Sequence, residues 1–85
     1  MENNRWGIWD KLLNEIYTAL KKQLSQKKMN QLREEQRTWI ESRDERALEA
    51  SLKYKGGTQE HLEYVAVLAN LTEERCYELV ENYMK

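Results

Sequence analysis

The sequence predicts an all-α fold, an up-down-up antiparallel three-helix bundle with a long second helix. Three observations carry that expectation. Apolar residues recur at i, i+3, i+4 and i+7 in three separate stretches, proline is absent, and the breaks between stretches are short enough to favour antiparallel neighbours. At 85 residues the chain is one domain, residues 1–85, near the size where a single core is only marginally sufficient.

In the first helix Trp9, Leu12, Leu13, Ile16, Tyr17, Leu20 and Leu24 keep the helical spacing over about four turns. "LSQKK" interrupts it, and Ser25 is placed to cap a second helix that starts near Gln26. That helix runs to about Tyr54, which at 1.5 Å per residue makes it roughly 40 Å long. Its stripe is Met29, Leu32, Trp39, Ile40, Ala47, Leu48, Ser51 and Leu52, interrupted by Gln36 and Arg43. Arg37 with Glu41 and Glu49 with Lys53 are spaced to pair along its surface, at about 0.2–0.5 kcal/mol each. "KGGT" ends it: Gly56 or Gly57 takes a left-handed conformation without steric penalty, and Thr58 is placed to cap the third helix. That third helix, about Gln59 to Tyr83, carries Leu62, Val65, Leu68, Leu71, Cys76, Leu79, Val80 and Tyr83 on a broad face that includes Arg75.

Net charge is −1, against the strongly basic balance of a dedicated nucleic-acid binder, and no nucleic-acid partner is expected. The charge is nevertheless uneven. Residues 1–55 hold 12 Lys and Arg against 9 Asp and Glu, whereas residues 56–85 hold 2 against 6. The patch of Lys21, Lys22, Lys27, Lys28 and Arg33 lacks aromatic interleaving and reads as solvated helix ends. No apolar run reaches the roughly 20 residues that span a bilayer. "MENNRWGIWDKLL" has no basic region, apolar core and small-residue cleavage site in succession, so it does not read as a signal peptide.

The residues offer little catalytic chemistry, and no enzymatic activity is expected. His61 and the lone Cys76 fall about four turns apart on one helix, too far for a thiol and its base, and Cys76 has no intrachain partner for a disulfide. The acidic pairs Glu34 with Glu35, Asp44 with Glu45, and Glu73 with Glu74 diverge by about 100° around their helices and form no metal cluster. The glycine pair lacks the strand, lysine and longer glycine pattern of a phosphate loop, so neither metal nor cofactor is expected. "YKGGT", Tyr54, Lys55, Gly56, Gly57 and Thr58, is read first as an interhelical connection and second as a partner-binding loop with Tyr54 as its anchor. The polar stripe is the more unusual feature. An unpaired polar group taken out of water costs about 1–3 kcal/mol, so Gln36, Arg43 and Arg75 require partners. A network joining Asp44 to one or both arginines and anchored by Gln36 would fix helix register, and a partner-facing site is the other reading.

Leu13, Asn14 and Tyr17 on the first helix, "LREEQRTWIESRD" from Leu32 to Asp44, Gly56 with Gly57, and "LTEER" with Leu79 together resemble the lysozyme inhibitor LprI-like N-terminal domain family. The resemblance covers about Asp10 to Leu79. It implies a small helical bacterial domain, secreted or envelope-attached, that binds a protein, lysozyme being the named partner. The family's motif positions fall on Leu32, Arg33, Gln36, Arg37, Trp39, Arg43, Asp44, Thr72 and Arg75. Where the family commonly has two cysteines, this chain has Ala47 and Val67, so packing replaces a constraint typically worth about 2–4 kcal/mol. The expected location is extracytoplasmic where an export signal has been removed and cytoplasmic where Met1 is the natural start. The competing expectation is a structural domain that self-associates, as a homodimer, through the overhang of the second helix and exposed Trp6 or Trp9.

Overall fold

A computed structural model describes residues 2–84. Three helices succeed one another: α1 (Glu2–Gln23), α2 (Gln26–Leu52) and α3 (Thr58–Leu79), the last continuing into a π-helical turn, Val80–Met84. The bundle is up-down-up and α2 is its longest helix, at 27 residues. α3 packs along both other helices, whereas α1 and α2 touch each other little.

Local chemistry explains the boundaries. Between α1 and α2 the chain reverses at Leu24 and Ser25, and the Ser25 Oγ accepts the Lys28 N–H at 3.3 Å, satisfying one of the orphan donors of the new helix. After α2, Gly56 takes φ +90°, a left-handed conformation that a Cβ would strain. The cap of α3 corrects the sequence-based expectation. Gly57 in extended backbone is the N-cap and Thr58 is already the first helical residue. No side chain caps α3; the Glu60 carboxylate instead reaches back to accept the Gly56 N–H at 3.2 Å.

The core lies where all three helices run together. Leu13, Ile16 and Leu20 of α1, Met29 and Leu32 of α2, and Cys76 and Leu79 of α3 form one buried cluster, with Trp9, Trp39, Tyr83 and Met84 packed on its margin. Burial of each such leucine contributes roughly 1.5–3 kcal/mol. Arg5 ties the start of α1 to α3 by donating to Asn70 Oδ1 at 2.6 Å and to the Ala66 carbonyl at 3.3 Å. Beyond that point α2 and α3 continue as a two-helix tip. Ala47, Ser51 and Val65 are buried there, and Leu68 and Ala69 are buried at the level where Arg5 meets α3. Leu48, Leu52 and Leu62, expected on the core stripes, are each about half exposed there, because two helices leave a flank that three would cover. Trp6 and Trp9, expected to be exposed, are half-buried: α1 begins a full two turns before its apolar pattern becomes regular, and Trp9 packs on the core margin while Trp6 lies against Arg43.

Candidate functional site

The polar residues on the stripes meet in a ladder that crosses the bundle. Trp39 and Arg43 lie one turn apart on α2, so their side chains stack, the guanidinium carbon 5.1 Å from the indole centroid. The same guanidinium stands 5.1 Å from the ring of Trp6 on α1, and that of Arg75 on α3 stands 5.8 Å from the ring of Trp39. The order Trp6, Arg43, Trp39, Arg75 thus joins all three helices. Each contact contributes about 0.5–2 kcal/mol, the larger value where water is excluded.

Hydrogen bonds fix the arginines within that stack. Arg75, 6% exposed, donates from Nε to the Gln36 Oε1 at 2.9 Å, so that N–H on α3 and the buried amide oxygen on α2 satisfy one another, while the buried Nη2 makes no hydrogen bond. Its Nη1 pairs with Glu78, one turn along α3, and its Nη2 lies 3.8 Å from Glu35 on α2. Arg43 pairs with its sequence neighbour Asp44, both contacts at 3.0 Å. The carboxylates that serve Arg75 are therefore Glu35 and Glu78, and among the described residues Asp44 is held by Arg43. Arg37 stands outside the ladder on the surface, 3.8 Å from Glu34 and not in the spacing anticipated with Glu41.

Sequence reasoning missed Trp6, Glu35, Glu78 and Tyr83. Glu78 was signalled by its i+3 spacing from Arg75; the others depend on how the helices cross. Tyr83, swung round by the π-helical turn, donates its hydroxyl to the Glu35 carboxylate at 3.0 Å. Burial and that hydrogen bond push the phenol above its usual range. Cys76 is buried, its Sγ 3.7 Å from the Trp9 carbonyl, and burial foremost, with Asp10 and Glu73 nearby, pushes its thiol up. His61 is exposed on the tip.

Several surfaces of the described residues are open, three of them near the residues singled out above. The tip loop presents Lys53, Tyr54, Lys55, Gly56, Gly57 and Thr58, all exposed. A broad, open depression on the flank between α2 and α3 includes Glu34, Glu35, Trp39 and Arg75. A narrower groove of about 380 Å³ runs between the splayed α1 and α2. Among the described residues no group of His, Cys, Asp and Glu is placed to hold a metal ion, and no helix is long and apolar enough to cross a membrane.

The described residues form an all-α three-helix domain whose polar residues stack across the helices and whose tip and grooves are exposed. The family model described as lysozyme inhibitor LprI matches residues 2–79, and the chain belongs to that family. No curated protein and no solved structure matches it.

Proposed function

We propose that this domain is a non-enzymatic inhibitor of a lysozyme, acting outside the cytoplasm, and that the α2–α3 tip makes the contact. The observation that carries the reading is the family match over residues 2–79. Chemistry supports the choice of surface. Lysozymes cleave glycans with two carboxyl groups in a cleft, so the cleft is anionic. The tip loop exposes Lys53 and Lys55 beside Tyr54, and the Glu60 carboxylate that reaches back into it is engaged by the Gly56 N–H. Many animal lysozymes are strongly basic overall. The acidic residues of α3 and its extension, Glu73, Glu74, Glu78 and Glu81, would steer such a protein toward the domain, an effect on association rate that salt screens.

The test is lysis of bacterial walls by lysozyme in the presence of the purified chain. The expected result is slower lysis, weaker inhibition as salt rises, and loss of inhibition in Lys53→Glu/Lys55→Glu. No slowing at high micromolar concentration overturns the reading. The alternative, self-association as a homodimer, is favoured by the exposure of Ile8 at 65% and Tyr77 at 62% on the outside of α1 and α3. Sedimentation distinguishes the two, since a monomer that captures lysozyme supports the first and a stable dimer without lysozyme binding the second.

A further inference from the structure

The groove between α1 and α2 is lined by three arginines and a single acid. Its α2 wall carries Arg33, Arg37 and Arg43, against a single acid, Asp10, on the α1 wall. Arg33 and Arg37 are one turn apart on the same face, and like charges at that spacing destabilise a helix by about 0.2–0.5 kcal/mol. Among the described residues Arg33 forms no hydrogen bond or ion pair. Arg37 has only the 3.8 Å approach to Glu34, between side chains that are both mostly in water. Arg43 differs, because the indoles of Trp6 and Trp39 and the carboxylate of Asp44 already fix its plane, leaving its side chain 12% exposed. Loose cations at the mouth and an oriented one within are an arrangement suited to an anion.

The remaining lining decides what kind of anion. Leu13, Tyr17 and Ile40 supply apolar surface, with the Asn14 and Gln36 amides among them. Ile40 is 39% exposed, an apolar side chain left uncovered inside a polar rim. The volume of about 380 Å³ lies within the range of about 300–1,000 Å³ typical of small-ligand sites. The wider depression beside Trp39 makes a poorer site, since its one arginine, Arg75, is held by Gln36, Glu78 and Glu35.

We infer that the α1–α2 groove binds a carboxylate that carries an apolar group, as the C-terminal residue of a peptide does. The guanidinium forks receive the carboxylate, a planar geometry that lysine does not reproduce. The apolar group lies on Leu13, Tyr17 and Ile40. This site is separate from the tip and does not depend on lysozyme binding.

The full chain is titrated with N-acetyl-leucine, N-acetyl-leucinamide and inorganic phosphate while its backbone amide resonances are followed by nuclear magnetic resonance. N-acetyl-leucine is expected to shift the amides of residues 10–17 and 33–43 and to bind at least tenfold tighter than either other probe. Arg33→Ala/Arg37→Ala removes two exposed side chains and is expected to keep the helical circular dichroism while losing at least tenfold in affinity. Lys21→Ala/Lys22→Ala, the same charge change outside the groove, is expected to leave affinity unchanged. Shifts centred elsewhere, equal binding of the neutral amide or of phosphate, or unaltered affinity in the folded arginine variant would each overturn the assignment.

Discussion

At one end of the molecule Leu20, Leu32 and Leu79 are completely buried; at the other, Leu48, Leu52 and Leu62, on the same three-and-four spacing, are about half exposed. The difference is not in residue type or helix pattern. Where three helices pass, α3 packs along both others and side chains of all three close one cluster, beside the ladder from Trp6 to Arg75. Where α2 and α3 continue alone, each inward face has one neighbour and only the narrow seam of Ala47, Ser51 and Val65 closes. Stability therefore resides in the body, and the tip is free to be shaped by what it meets.

Leu20→Ala tests that division most severely. Truncating a fully buried leucine costs about 2–5 kcal/mol, and in a domain of this size each kcal/mol lowers Tm by about 4–8 °C. Thermal unfolding is expected to fall by at least about 10 °C; a shift of only a few degrees would mean that the core near Leu20 is not where the fold is held.

The ladder makes a subtler claim, that Arg75 and Gln36 act as a pair across helices. Removing the guanidinium strands the buried Gln36 oxygen, a loss of about 1–3 kcal/mol. In a double-mutant cycle of Gln36→Leu and Arg75→Leu the coupling energy is expected at about 0.5–3 kcal/mol. Strict additivity in denaturant unfolding would break the register argument and return Arg75 to a surface role.

How much of this was legible in the sequence depends on the range of the interactions. The Ser25 cap, the break at the glycine pair and the buried stripe of α1 are set within one or two turns, and the residues announce them. That Gln36, Arg43 and Arg75 need partners was also readable, since burial and polarity were both predictable. Which partners they find was not. Asp44 was expected to serve one or both arginines, but the crossing of α2 with α3 brings Glu35 to Arg75 and leaves Asp44 to Arg43. The exposure of Leu48 and Leu52 was hidden for the same reason, because periodicity shows which face is apolar and not how many helices cover it. The α1–α2 groove needs the splay of two helices, which no local pattern encodes.

Cys76 gives a milder test of the body through pH. Its thiol ionises above its ordinary value of 9.0 in the folded chain, chiefly because burial disfavours the thiolate. The unfolded chain thus loses this proton first, and stability is full below that ordinary value and declines as pH rises through it. Tyr83, raised above its ordinary value of 10.0, acts in the same direction at higher pH. Denaturation midpoints are expected to fall between pH 7.5 and 10, and to fall less in Cys76→Ala when each midpoint is referred to its own value at pH 7.5. An identical slope in the variant would show that the thiol is not buried in solution.

Leu52→Ala is expected to have the smallest effect, and its smallness is the point. Leu52 is 52% exposed on the last turn of α2, so truncation removes surface that was never fully withdrawn from water. Substitutions at such positions usually stay within about 0.5 kcal/mol of neutral, and Tm is expected to move by no more than about 4 °C. Should the loss approach that of Leu20→Ala, the tip would be part of the cooperative core and the contrast between the two ends would collapse. Should stability hold while inhibition of lysozyme weakens, Leu52 would be separated into a residue that contributes to binding and not to folding, which is what a two-helix tip beyond a three-helix body predicts.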